Sequence, residues 1–183
     1  IVVPEFSLPP RVAEVPVPAP HEDAVVVEVE ATGLCRSDWH AWAGHDDGIT
    51  LPHIPGHELL GRVVACGAGV ARIAVGERMI TPFVCGCGSC PECRAGHSQV
   101  CPRQTQPGFT HDGSFAEFVE VRHADHNAIV VDPEIPAADL VTLGCRFATA
   151  FRGLHDRARI TEEDHVVVLG CGGVGLSSVM IAA

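Results

Sequence analysis

The sequence predicts an α+β chain in which a β-rich stretch leads into a helical segment and then into the opening strand, turn and helix of an α/β unit. Three observations carry this. Short β-branched runs broken by Gly, Pro and Asp fill residues 1–136, an amphipathic run spans 136–158, and a charge-free apolar stretch punctuated by glycines closes the chain.

The runs AVVVEVEATG, LLGRVVACGAGV, SFAEFVEV and HNAIVVD read as strands of an antiparallel domain. The segment PAADLVTLGCRFATAFRGLHDRA has no internal Pro, apolar residues at helical spacing and Asp139 in its first turn, which predicts one helix or two abutting ones. HVVVLGCGGVGLSSVMIAA then reads as a tight strand, a glycine turn and the start of a helix. Val166 to Ala183 is 18 residues without charge, a length that also suits a membrane span. Gly170, Gly172, Gly173 and Gly175 argue against that span, because they would weaken a helix at its centre, whereas a strand entering a G-x-G-x-x-G turn needs them. The chain opens without Met and stops inside an apolar run, so both ends look cut.

With 46% hydrophobic and 19% charged residues, the chain can bury a substantial core. Its formal charge of -11, with 12 Lys and Arg in all, argues against a nucleic-acid or anionic-membrane surface and favours small-molecule chemistry. No signal-peptide pattern opens the sequence and the cysteines have metal spacing, so a reducing cytoplasm is the expected setting.

Five of the nine cysteines fall within the 17 residues from Cys85 to Cys101. Cysteines this close suit bridge geometry badly, while C-x-x-C steps suit a tetrahedral ion. Cys87, Cys90, Cys93 and Cys101 form C-x2-C-x2-C-x7-C, with Gly88, Pro91 and Gly96 supplying turns; Cys85 leaves the first ligand ambiguous, and the even spacing favours Cys87. Four thiolates fill every position around Zn2+ and leave none for a substrate, so this site is expected to be structural.

A second set is dispersed. GLCRSDWH, PGHELLG and LGCRFATA contribute Cys35, His57 and Cys145, which together make a Cys2His set with an open fourth position. Two thiolates balance the charge of Zn2+, so such a site retains Lewis acidity.

Taken in order, GLCRSDWH, PGHE, the four-cysteine lobe, GSFAEFVEV, GCRFATA and VVVLGCGGVG resemble the zinc-dependent medium-chain alcohol dehydrogenases over nearly the whole chain. The resemblance implies a GroES-like catalytic domain over 1–136, a connecting helical segment over 137–160 with the third ligand, and the start of a Rossmann coenzyme domain over 161–183. It implies two Zn2+ per chain and hydride exchange between an alcohol and NAD or NADP, with NAD favoured, giving an aldehyde or ketone. Cys35, His57 and Cys145 match the catalytic zinc ligands, and Glu58 an acid that can approach the metal. Asp38 matches the carboxylate that orients the ligand histidine. Ser37 matches the hydroxyl that takes the substrate proton, and His40 the outer member of the relay to solvent. Arg36 matches a residue near the pyrophosphate, Thr149 one near the nicotinamide and Phe83 a wall of the substrate pocket. A homodimer or homotetramer is implied for the full-length protein.

Gly170, Gly172, Gly173, Val174 and Gly175 lie between a predicted strand and helix, the context of a pyrophosphate-binding turn. The Asp, Glu or Arg that would choose between NAD and NADP falls about 20 residues further on, beyond Ala183. The 183-residue chain is therefore expected to be inactive alone. Related polyol dehydrogenases or reductases are the alternative activity, and a zinc-binding module without catalysis is the alternative class. Trp39, Trp42, Cys66, Cys171 and Glu117 read as packing or structural residues.

Overall fold

The computed structural model describes residues 1–183. Five strands form one antiparallel sheet in the order β4-β1-β2-β3-β5: β1 Val25–Gly33, β2 Glu58–Cys66, β3 Arg78–Ile80, β4 Phe118–Val121 and β5 Ile129–Val130. The helices are α1 Arg36–Trp42, α2 Pro91–Arg94, α3 Ala124–Asn127, α4 Ala137–Leu140, α5 Ala148–Phe151 and α6 Gly173–Ala182.

Valines of β1 supply the interior of the sheet. Val25 and Val27 pack with Leu59, Val63, Met79, Val119 and Val121, while Glu28 and Glu30 face outward. Neighbouring Leu59 and Leu60 point to opposite faces of β2, as a two-residue period requires. Leu59 joins the main core, and Leu60 meets Ile80 and Leu140 in a smaller cluster that anchors α4 to the sheet. This second contact fastens the helical segment to the strands.

Pairing register brings distant segments together. Gly33, the last residue of β1, lies opposite Glu58, the first of β2. Cys35 therefore emerges beside His57 although 22 positions separate them in the chain. At the end of β3, the Phe83 amide donates to Gly144 O at 3.0 Å, which sets Cys145 against the same sheet edge.

GLCRSDWH forms α1, begun by Asp38, whose Oδ2 accepts from the Cys35 amide at 2.8 Å. Two local expectations need correction. HNAIVVD yields only the two-residue β5, because His126 and Asn127 complete α3 and the Asn127 side chain bonds Gly86 instead of extending a ladder. Val166–Leu169 joins no sheet, and Val167 and Leu169 are largely exposed. A strand exists through its neighbours, and no other strand lies beside this one. The helical segment does form as abutting pieces: α4, a π-helical turn over Leu143–Phe147, α5 and a second π-helical turn over Arg152–Ala158. The glycine turn also forms and opens α6, whose ten residues are too few for a membrane span; no helix here is long and apolar enough to cross one.

Glu120 of β4 is nearly buried; its Oε1 accepts from the His21 amide at 2.8 Å and also meets the His21 ring, while its Oε2 accepts from Arg122 Nε at 2.9 Å. Burial alone would raise its carboxyl, but the bonds from His21 and Arg122 hold it below the usual carboxylate range. A carboxyl lowered in the folded state contributes stability above its unfolded value and loses it as pH falls through the folded one. Glu120→Gln is thus expected to cost about 1–3 kcal/mol in denaturant titrations at neutral pH. The difference should shrink as the wild type is titrated to acid; a difference independent of pH would contradict the assignment.

Candidate metal centres and dinucleotide cleft

Cys35, His57, Glu58 and Cys145 each present a donor atom, and all four donors lie within 4.8 Å of one another. Three of these residues are buried. Asp38 sits behind His57: its Oδ1 lies 3.1 Å from His57 Nδ1 and accepts the Gly56 amide at 3.2 Å. With Nδ1 turned to Asp38, Nε2 is directed inward, where it is buried and has no hydrogen-bond partner. Such an orphaned imidazole nitrogen costs stability unless something occupies its lone pair, and a cation among two thiols and a carboxylate does so. Gly33 completes the packing, since a Cβ there would run into the Glu58 carboxylate.

The ionisation of the donors points the same way. Cys145 and His57, beside Cys35, hold its thiol down to about 3. Burial pulls His57 down, yet Asp38 and Cys35 together lift it to about 9. Cys145 is driven upward, first by Cys35 and then by burial. Two adjacent thiolates repel, and a divalent cation placed between them removes the conflict.

Around this centre the predicted residues divide. Ser37 lies in the first turn of α1, with its Oγ 3.8 Å from the Cys35 sulfur. Phe83 stands edge-on to His57 with ring centroids 6.3 Å apart. Arg36, Gly170, Gly172, Gly173, Val174 and Gly175 line one cavity of about 570 Å³ together with Cys35. The glycine turn is tight, because a Cβ on Gly175 would strike the Gly170 carbonyl. Two expectations are not met by direct contacts. Thr149 is exposed on α5 and outside the lining of that cavity. His40 is exposed and shares a hydrogen bond with His45, 3.0 Å between their Nδ1 atoms, and no bond joins it to Ser37.

Other residues at the site carried no signal of their own in the sequence. Phe109 approaches His57 more closely than Phe83 does, with a centroid separation of 5.3 Å, and reaches it through the loop between Gly108 and Gly113. Arg146, adjacent to Cys145, donates from Nε to Glu58 Oε1 at 2.8 Å and from its terminal nitrogen to Oε2. Trp39 is only partly covered, and the Arg36 guanidinium lies 4.0 Å over its ring, so it is a pocket wall and not core packing.

The lobe after β3 holds the second centre. The sulfurs of Cys87, Cys90, Cys93 and Cys101 lie within 4.8 Å of one another. Backbone amides of Cys87 and Arg103 donate to Cys101 at 3.4 and 3.3 Å, and the Cys93 amide donates to Cys90 at 3.4 Å. The Arg103 guanidinium reaches Cys87 at 3.2 Å. Bonds from Ser89 hold Cys87 down to about 5, the direction that favours a thiolate there. Cys85 stands apart: its thiol donates to the Pro82 carbonyl, burial pushes it up to about 11, and the four-sulfur group contains Cys87 in its place.

Residues 21–133 match the family described as the alcohol dehydrogenase GroES-like domain. The chain belongs to this family. The match covers all five strands of the antiparallel sheet. Among its relatives, an uncharacterized zinc-type alcohol dehydrogenase-like protein of Haemophilus influenzae is 35% identical over 173 residues, covering 93% of this chain and 49% of that protein. A crystal structure of an NAD-dependent alcohol dehydrogenase superposes with a TM-score of 0.90 at 28% identity, over 100% of this chain and 54% of the other. A cobalt- and zinc-bound thermostable alcohol dehydrogenase from Pyrobaculum aerophilum gives 0.88 at 28% identity, over 99% and 56%. The chain spans about half the length of the curated relatives it matches.

Proposed function

We propose that this chain is the metal-binding, substrate-handling part of a zinc-dependent oxidoreductase that exchanges a hydride between an alcohol and NAD or NADP, yielding an aldehyde or ketone. One observation carries the reading: the Cys35, His57 and Cys145 donors converge with Glu58 around a buried His57 Nε2 that has no other partner. Zinc, when bound there, supplies a Lewis acid that polarises the substrate oxygen, and the nicotinamide supplies the hydride acceptor.

The residues of the chain perform the rest. Cys35, His57 and Cys145 hold the ion, and Asp38 fixes the tautomer and orientation of His57. Ser37, half-buried beside Cys35, accepts the proton of the substrate hydroxyl. His40, exposed and bonded to His45, passes protons to water. Phe83 and Phe109 flank the metal centre and exclude water from it. Arg36 and the turn from Gly170 to Gly175 receive the coenzyme pyrophosphate. NAD is the favoured coenzyme, and a second zinc in the four-thiol lobe holds the fold. The domain division at residues 136 and 160, a homodimer or homotetramer, and a cytoplasmic setting complete the proposal; the nine free cysteines suit a reducing compartment.

The test uses a form of the protein as long as its relatives and follows reduced nicotinamide during oxidation of short alcohols. Ser37→Ala is expected to lower turnover by about 100- to 10,000-fold with both zinc ions retained. An unchanged rate would remove Ser37 from the reaction.

A further inference from the structure

The buried carboxylate of Glu58 raises a question that the three-ligand reading leaves open. Glu58 is fully buried, and a carboxylate oxygen of it lies within 4.8 Å of the Cys35, His57 and Cys145 donors. A carboxylate is itself a good zinc ligand. Were it free to swing inward, it would complete a four-residue shell and close the position on which Lewis-acid chemistry depends.

Arg146 opposes that movement. Its Nε donates to Glu58 Oε1 at 2.8 Å, its terminal nitrogen bonds Oε2, and its own amide lies 3.4 Å from Oε1. Both carboxylate oxygens are thus held in a two-pronged grip, the arrangement in which a guanidinium fixes direction as well as charge. The guanidinium is anchored in turn. The same terminal nitrogen donates to the Leu34 carbonyl at 2.8 Å, and the aliphatic stem lies against Gly173, where a Cβ would come within 2.5 Å of Arg146 Cδ. The residue sits in the π-helical turn Leu143–Phe147, which carries Cys145 to the metal and Arg146 to the carboxylate on consecutive positions.

We infer that Arg146 is a positioning residue that holds Glu58 off the metal and so keeps the fourth coordination position of the Cys35–His57–Cys145 centre open. The inference rests on the proposed metal at that centre and adds a requirement which that proposal does not contain. Removing the guanidinium leaves a buried carboxylate with its strongest partner gone, and the nearest alternative cation is the metal ion.

Cobalt(II) reports the ligand set through its visible absorption, so a form of the protein as long as its relatives is loaded with cobalt and titrated with imidazole, a neutral ligand whose binding does not depend on the charge of Arg146. In the unsubstituted chain the bands of one cobalt ion should shift as imidazole enters the open position. In Arg146→Met, Glu58 fills that position and the imidazole concentration needed should rise by about tenfold or more. Arg146→Met combined with Glu58→Gln should return the response to the unsubstituted value, which a merely structural role for Arg146 would not do. Should Arg146→Met fail to fold, Arg146→Lys takes its place: a single ammonium cannot grip both oxygens, and the response should again weaken. An unsubstituted response in the Arg146 variant, or a weakened one that Glu58→Gln does not restore, overturns the inference. Failure of the unsubstituted chain to bind a second cobalt ion would overturn the metal centre itself, a separate result.

Discussion

Replacing Cys145 by Ser is expected to strip one metal ion from the chain, leave the other, and in a form of full relative length reduce alcohol oxidation by more than about 100-fold, the upper loss typical of outer-shell changes at metal sites. The physical reason is the ligand set. A serine hydroxyl stays protonated where a cysteine becomes a thiolate, so only Cys35 and His57 would remain as firm ligands. Cys145 is nearly buried in the turn that packs on β3, and the substitution exchanges sulfur for oxygen with little change of volume. Stability should therefore fall by only about 1 kcal/mol. Turnover and zinc content are read on the same preparation, and destabilisation of this variant equal to that of a variant lacking a lobe cysteine would contradict separate roles for the two centres.

Cys90→Ser should do the reverse. The buried apolar cluster of the lobe consists of Cys90, Cys93 and Cys101, with Cys87 packed against it and no aliphatic side chain among them. A segment without its own hydrophobic core owes its order to the ion that joins its sulfurs. Loss of that ion is expected to cost about 4 kcal/mol or more, since loss of a bound metal is among the few mechanisms that reach this size. Chemical denaturation would show it as a lower midpoint, and a midpoint within experimental error of wild type would remove the structural role. The residual fold should still carry the Cys35 centre.

Legibility in the sequence followed the distance between the partners. The four-thiol lobe could be read from spacing because its ligands lie within 15 residues of one another, and the fold draws the same four sulfurs together. Cys35, His57 and Cys145 come from three segments; ligand chemistry suggested the set and the resemblance assigned it, while the β1–β2 register and the Phe83–Gly144 bond explain how they meet. Asp38 behind His57 was likewise anticipated through the resemblance. Arg146 was not: an Arg after a ligand Cys has no one-dimensional mark, and its target lies 88 positions away. Phe109 was missed for the same reason, since a lone aromatic between glycines reads as loop. Val166–Leu169 misled in the opposite sense. Its β-branched residues favour a strand, but hydrogen-bonded neighbours decide whether one exists, and propensity says nothing about them.

Zinc stoichiometry tests the central claim most directly. Elemental analysis of the folded, zinc-replete chain should give two ions per chain, corresponding to the Cys87–Cys90–Cys93–Cys101 and Cys35–His57–Cys145 groups. Cys145→Ser should reduce the count to one. A single zinc in the unsubstituted chain, unchanged by Cys145→Ser, would show that the convergence around His57 is not a metal centre and would contradict the account of its chemistry.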